Sequence, residues 1–177
     1  MLDVKKIPPH IGWYLAGFAD GEGSFNVVFR PRKDSQPPWE VSLCFNISQQ
    51  RERVILALYK RHLRCGTMRQ RKDGLWYYEV KNFTAIWENV IPFFKKFHFL
   101  SAKKKRDFAK FCQIAQLIFE GAHQTPEGIE KILAIHREMN DGGKRRYTEE
   151  EIRARLKESS ETIRRAPHKG DDMVRSP

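Results

Sequence analysis

Between Ser24 and Ser48 the chain alternates apolar and polar side chains twice, with Asp34-Ser35-Gln36-Pro37-Pro38 breaking the pattern in between. In the first run Phe25, Val27 and Phe29 oppose Asn26, Val28, Arg30 and Arg32. In the second, Val41, Leu43, Phe45 and Ile47 oppose Glu40, Ser42, Cys44, Asn46 and Ser48. A period of two sends successive side chains to opposite faces, so both runs are half-buried strands with a shared apolar side and a shared polar side. A two-stranded ribbon is barely stable alone, so the flanking segments must cover its apolar face.

Those segments read as helices and a second hairpin. Pro8-Pro9 followed by residues 10–19 predicts a helix with proline near its first turn, running into the acidic glycine turn Asp20-Gly21-Glu22-Gly23. A helix from about Glu52 to Leu63 carries Val54, Ile55, Leu58, Tyr59 and Leu63 at helical spacing and stops at Cys65-Gly66. Thr67 to Arg71 and Leu75 to Lys81 flank the turn Lys72-Asp73-Gly74, and Arg69 and Arg71 point the same way. In the last strand either face can be the buried one. Tyr77, Glu79 and Lys81 suit a polar surface, and Trp76, Tyr78 and Val80 suit a core. Helical periodicity returns at 84–97, 102–119, 126–140 and 148–165, where Thr148-Glu149-Glu150-Glu151 resembles a capping box. The expected class is α+β, one domain over residues 1–165, and residues 166–177 read as a flexible tail. No internal repeat is evident, and the acidic glycine turn occurs once.

The chain has 177 residues, and 33 Lys and Arg against 22 Asp and Glu leave a net charge of +11. With 40% hydrophobic residues it can build a core, which excludes wholesale disorder. The positive field calls for an anionic partner: nucleic acid, anionic lipid or acidic protein. No apolar run approaches the ~18 to 20 residues of a membrane span, and residues 1–6 open no signal peptide, so a soluble, non-secreted protein is expected. Cys44, Cys65 and Cys112 are isolated, which argues against a disulfide framework or a Cys-rich zinc site. His62, three residues before Cys65, reads as an ordinary helix-end residue.

The small residues Gly12, Ala16, Gly17 and Ala19 leave a shaved helix surface that another backbone can approach. With Asp20 and Glu22 at the helix end, two-fold pairing would bring two acidic turns together, an arrangement that favours bound divalent cations. Phosphodiester hydrolysis uses such metals to activate water and neutralise the phosphate. By itself Asp20-Gly21-Glu22-Gly23 is equally a polar helix-to-strand turn. A calcium loop of EF-hand type does not fit, because Phe25 stands where that loop needs Gly and Pro31 where it needs Glu.

The stretch Leu15-Ala16-Gly17-Phe18-Ala19-Asp20-Gly21-Glu22-Gly23, with Ile11-Gly12-Trp13-Tyr14 before it and Ser24-Phe25 after, closely resembles the signature of the LAGLIDADG homing endonucleases. The element order resembles that family's αββαββα fold, and Leu100-Ser101-Ala102-Lys103-Lys104-Lys105-Arg106-Asp107-Phe108 is similar to its downstream basic segment. The resemblance implies a DNA-binding antiparallel sheet with additional C-terminal helices. It implies that Glu22 is the catalytic, metal-binding carboxylate, assisted by the Gly21 carbonyl, where many relatives carry Asp. Gln49, with Gln50 as the one-residue alternative, would position solvent at the scissile phosphate. Arg53 and Lys103 would support the water network and the phosphate charge. Gly12, Ala16, Gly17, Ala19 and Asp20 would form a dimer interface, because one-motif chains of the family pair their motif helices.

The same resemblance implies Mg²⁺ as cofactor, with Mn²⁺ able to substitute and Ca²⁺ supporting binding without cleavage. The partners would be a second copy of the chain and a long, partly palindromic double-stranded DNA, cut to leave short 3′ overhangs. The enzyme would be intron-encoded and work in a prokaryotic cytoplasm or nucleoid, or in an organelle, with no membrane. An RNA maturase acting on its intron and a non-cleaving regulator remain the alternatives. Strand residues two apart are about 6.6 to 6.8 Å apart, close to two base-pair rises, so the polar sheet face could follow a groove. Candidate DNA contacts are Asn26, Val28, Arg30, Arg32, Glu40, Ser42, Cys44, Asn46, Thr67, Arg69, Arg71, Tyr77, Glu79 and Lys81. Arg can pair bidentately with guanine and Asn with adenine, and Glu40 can accept from cytosine.

Overall fold

A computed structural model describes residues 1–33, 35–50, 52–140 and 145–165, without the side chains of 159–165. The expected tail, 166–177, lies outside the described residues. The elements are α1 (Pro9–Glu22), β1 (Gly23–Pro31), β2 (Trp39–Gln50), α2 (Val54–Leu63), β3 (Thr67–Gln70) and β4 (Leu75–Val80). There follow α3 (Phe83–Ala85), a π-helical turn (Ile86–Val90), α4 (Ile91–Lys96), α5 (Ala102–Phe119), α6 (Pro126–Arg137) and α7 (Glu149–Arg165). The four strands form one antiparallel sheet in the order β1-β2-β4-β3, so the two hairpins meet through β2 and β4. No helix among the described residues is long and apolar enough to cross a membrane.

The alternation read in the sequence sets the two faces. Phe25, Val27 and Phe29 on β1, Val41, Leu43, Phe45 and Ile47 on β2, and Tyr78 and Val80 on β4 are buried beneath the helices. The register Phe45↔Val80 therefore settles the face of β4, with Tyr78 and Val80 inward and Tyr77 and Glu79 outward. Phe25 is the hub of the core. Its ring lies 5.0 Å from those of Phe45 and Phe111, 5.2 Å from Phe108, 5.5 Å from Phe94 and 5.7 Å from Phe99. The Tyr59 hydroxyl donates to the Leu15 carbonyl and ties α2 to α1, and burial pushes its phenol pKa up.

Two elements differ from the sequence reading. The acidic glycine stretch is not a turn: α1 continues through Asp20-Gly21-Glu22 and passes directly into β1. The backbone N–H of Gly23 closes the last helical bond onto the Ala19 carbonyl, and a Cβ at Gly23 would lie 2.7 Å from that oxygen. The change from helix to strand happens at one residue because that residue has no side chain. The expected helix over 84–97 is interrupted by the π turn. Pro92 has no N–H to offer the carbonyl four residues back. That carbonyl, of Glu88, accepts instead from the Leu2 N–H at 2.8 Å, which fixes the N-terminus against this segment.

The C-terminal helices close the β1 edge of the sheet, where strand hydrogen-bonding groups would otherwise be exposed. The Asn140 side chain donates to the Phe25 carbonyl at 3.0 Å, and its backbone N–H donates to the buried Asp107 carboxylate at 3.1 Å. The Trp39 indole donates to the Ile152 carbonyl at 3.2 Å. The capping box forms: Glu151 N–H donates to the Thr148 hydroxyl at 3.2 Å and Thr148 N–H to the Glu151 carboxylate at 2.7 Å.

His136 packs 5.5 Å from the Phe29 ring, and burial, helped by the Arg145 charge, pushes its pKa down from 6.5 to about 4. The unfolded chain therefore takes up a proton that the folded chain refuses. This contribution is full above pH 6.5 and is lost as pH falls toward 4, amounting to about 3 kcal/mol at 1.36 kcal/mol per unit. Glu149, held near 2 by the Arg137 hydrogen bonds, titrates below 4.5 and leaves the upper window to the histidines, of which burial pushes His62 and His123 down as well as His136. Urea midpoints should fall between pH 6.5 and 4.5, and His136→Leu should make that slope shallower. An unchanged slope in the variant would refute the assignment.

Candidate active site and nucleic-acid interface

The last turn of α1 treats its two carboxylates differently. Glu22 and Gly21 are exposed. Asp20 instead accepts the Ser101 N–H at 2.9 Å, the Leu100 N–H at 3.1 Å and the Ser101 hydroxyl. Burial pushes the Asp20 carboxyl up, but the bonds from Ser101 and Leu100 and the Lys104 charge outweigh it and hold it below its ordinary value. Asp20 thus fastens the start of α5 to the end of α1 and is not left free for a metal or a dimer contact. Ser101 also caps α5 by accepting the Lys104 N–H at 3.2 Å.

Lys104 completes this junction, with its ammonium donating to the Gly23 carbonyl. Desolvation pushes its pKa down, against the pull of Asp107, Asp20 and Glu22. Lys103, the candidate basic residue, lies beside it and is exposed on the same helical turn. The sequence shows a run of four cations but not which one turns toward the motif, because one helical residue is a rotation of about 100°. Lys104 and Ser101 are the residues that sequence reasoning missed. Ser101 was open to detection as an N-cap before an amphipathic helix.

The register Gly23↔Ile47 sets Ser48, Gln49 and Gln50 at the same end of the sheet as Glu22. Gln49 is half-buried opposite Trp76, whose indole lies 5.4 Å beneath the Arg53 guanidinium. Trp76 is thus the strand partner of Gln49 and the ring under Arg53. Gln50 is exposed at the end of β2.

The pairing face needs correction. Gly12, Ala16 and Ala19 are buried in the chain's own core, and a Cβ at Gly12 would strike the Phe97 ring at 2.3 Å. The outward face of α1 carries Trp13 and Tyr14, 44% and 57% exposed, with Gly17 and Gly21, where an added Cβ would meet nothing within 4 Å. Of the five residues assigned to dimerisation only Gly17 lies on this open surface.

The sheet face away from the helices carries the candidate DNA contacts. Asn26, Val28, Glu40, Ser42 and Asn46 are half-exposed, and Arg30, Thr67, Arg69 and Lys81 are exposed. Arg32 and Arg71 sit just beyond the ends of β1 and β3. Cys44 is a second correction. It is only 6% exposed, the Asn46 amide approaches its sulfur at 3.7 Å, and burial pushes its thiol up. A cleft of about 540 Å³ opens over this region, lined by Asn26, Cys44, Asn46, Glu79, Lys81 and, from the C-terminal segment, Arg146. The cations are held in place: Arg69 by Glu79 at 2.8 Å, Lys81 by Glu79 at 2.7 Å, and Arg71 by the Tyr77 hydroxyl at 2.8 Å.

Among the described residues no three His, Cys, Asp or Glu side chains gather to hold a metal ion. One chain offers the Glu22 carboxylate and the Gly21 carbonyl, hard oxygen donors of the kind Mg²⁺ and Ca²⁺ take, but only part of a coordination shell.

Comparison with known proteins agrees with this geometry. The profile of the family described as LAGLIDADG endonuclease matches residues 15–115. A probable intron-encoded endonuclease of Neurospora crassa is 29% identical over 149 residues, and the chain spans 33% of that protein's length. The DNA endonuclease I-CeuI of Chlamydomonas moewusii is 30% identical, over 78% of this chain and 66% of that protein. Among solved structures, the homing endonuclease I-TnaI superposes with a TM-score of 0.68 at 30% identity, covering 86% of this chain and 97% of its own. I-SmaMI bound to uncleaveable DNA superposes at 0.71 and 31% identity, covering 77% of this chain and 46% of its own. The motif helix, the two hairpins meeting at β2 and β4, and the match across residues 15–115 make this chain a member of the LAGLIDADG homing endonuclease family.

Proposed function

We propose that the chain is a site-specific DNA endonuclease that works as a homodimer with a divalent metal, Mg²⁺ or Mn²⁺. It would cut both strands of a long, partly palindromic target to leave short 3′ overhangs. The observation that carries this reading is the exposed Glu22 at the tip of α1, with Asp20 beside it already engaged by Ser101 and Leu100. The open stripe of Trp13, Tyr14, Gly17 and Gly21 ends at that carboxylate, so a second α1 laid along it would bring two Glu22 side chains together.

Glu22 and the Gly21 carbonyl would hold the metal, which when bound supplies an activated water and neutralises phosphate charge. Lys103, with Gln49 and Arg53 at the same end of the sheet, would orient that water and offset the charge growing on the phosphate. The polar sheet face would read the groove, with Asn26, Asn46 and the arginines at base edges. One relative, I-SmaMI, was solved bound to uncleaved DNA with calcium ions, which supports Ca²⁺ as a binding-only ion for this chain.

The test is incubation with a randomised duplex library in Mg²⁺ and in Ca²⁺, sequencing retained and cut molecules. The expected result is recurrent Mg²⁺-dependent ends with 3′ overhangs at a two-fold site, and retention alone in Ca²⁺. Specific retention without cutting in Mg²⁺ would replace the nuclease with a non-cleaving regulator. Blunt or single-strand ends would overturn the two-fold geometry. Splicing of an intron RNA without cleavage would favour a maturase.

A further inference from the structure

One carboxylate on the open sheet face is covered while the two cations beside it are exposed. The Glu79 side chain is 13% exposed, against 61% for Arg69 and 51% for Lys81. One of its oxygens takes the Arg69 guanidinium at 2.8 Å and the other takes the Lys81 ammonium at 2.7 Å. The two cations come from different places, Arg69 from β3 and Lys81 from just beyond β4. Glu79 sits between them, flanked across the sheet by Asn46 on β2 and Thr67 on β3. The other acid–base pairs of this face are looser. Arg32 and Glu40 are 3.9 Å apart and both well exposed, and Arg71 meets Asp73 inside its own turn.

A covered carboxylate in a surface that meets a polyanion repels it, so its presence works against raw affinity. What it offers in exchange is geometry. A guanidinium has five N–H donors in a rigid fork, and engaging one edge leaves the rest aimed in a fixed direction. Because Glu79 is mostly out of water, its pull on both cations is screened less than that of an exposed pair.

We propose that Glu79 is a positioning residue of the DNA-reading face. It holds Arg69 and Lys81 in one arrangement, presenting them to the base edges of a matching sequence and withholding them from phosphates elsewhere. It acts through these two cations and not by touching a base. The proposal rests on the reading of the chain as a DNA-binding endonuclease. Its signature is a change in discrimination, with non-specific affinity rising as specific advantage falls.

The test uses the full chain as wild type, Glu79→Gln, the variant carrying Arg69→Ala with Lys81→Ala, and the triple variant, with folding checked by thermal melting. The probes are a random-sequence duplex and the duplex that the wild type selects from a randomised library in Ca²⁺. For Glu79→Gln the random duplex should bind more tightly, with a plot of log affinity against log salt steeper by about 1 to 2 per protomer as two cations reach phosphate. The ratio of selected to random affinity should fall about tenfold, the loss expected when one bidentate base contact loses its aim. In the background lacking both cations, Arg69→Ala with Lys81→Ala, the substitution should no longer alter base preference. A salt slope and affinity ratio equal to wild type would overturn the proposal. A change of base preference that persists without both Arg69 and Lys81 would also overturn it and assign Glu79 to direct reading of a base. Failure of the wild type itself to select any sequence would sink the DNA-recognition reading, an outcome distinct from a wild type that selects and a variant that matches it.

Discussion

Glu22→Gln should abolish double-strand cleavage and leave DNA binding in place. The substitution keeps the shape of the side chain and removes its charge, and Glu22 is exposed at the tip of α1, so the fold is not at stake. An amide cannot replace a carboxylate as the anionic donor to a divalent cation. Several kcal/mol of metal-borne stabilisation, at 1.36 kcal/mol per tenfold, makes the loss about a thousandfold or more. Asp20 cannot take over, because its oxygens are engaged by Ser101 and Leu100. The measurement is single-turnover cleavage of the selected duplex in Mg²⁺ beside a binding titration in Ca²⁺. Residual cutting by pure variant protein within tenfold of wild type would remove Glu22 from the metal site.

Phe25→Ala should cost about 3 to 5 kcal/mol of folding stability, the usual range for emptying a buried aromatic site. Against a typical total of about 5 to 15 kcal/mol, that is enough to unfold a substantial part of the population at 37 °C. Phe25 is 1% exposed and contacts five other rings drawn from β2, α4, α5 and the loop before α5, so no single neighbour can move in to fill the gap. It is also three residues from Glu22, so its loss slackens the junction that holds the carboxylate. A denaturation midpoint that shifts with unchanged m-value checks the prediction. Phe25→Leu, which keeps most of the volume, should lose less than about 1.5 kcal/mol. Equal losses for the two variants would mean that the site is not close-packed.

Local chemistry made much of this molecule readable. The strands and their faces follow from a period of two, which depends only on neighbouring residues. The hairpin turn at Asp73-Gly74, with Gly74 at φ 85°, and the Thr148 capping box follow from side chains within a few residues of the backbone they bond. The motif located the acidic tip of α1 for the same reason. Which carboxylate stays free was not legible, because it depends on Ser101, eighty-one residues downstream of Asp20.

The sequence by itself determined a helix, two hairpins with one polar face, a basic surface and a single acidic motif, all of them consequences of spacing and composition. The tertiary structure alone decided how these elements are turned. Both sides of α1 carry small or apolar residues, so periodicity could not say that Gly12, Ala16 and Ala19 face inward; the Phe97 ring over Gly12 decides it. The Glu88 carbonyl that Pro92 leaves unpaired is met by a Leu2 N–H that arrives from the far end of the chain. Lys104 turns to Gly23, and Glu79 gathers Arg69 and Lys81, because packing of distant segments sets their rotation. Spacing along a chain specifies which residues share a face, and only the surface that the face packs against specifies where it points.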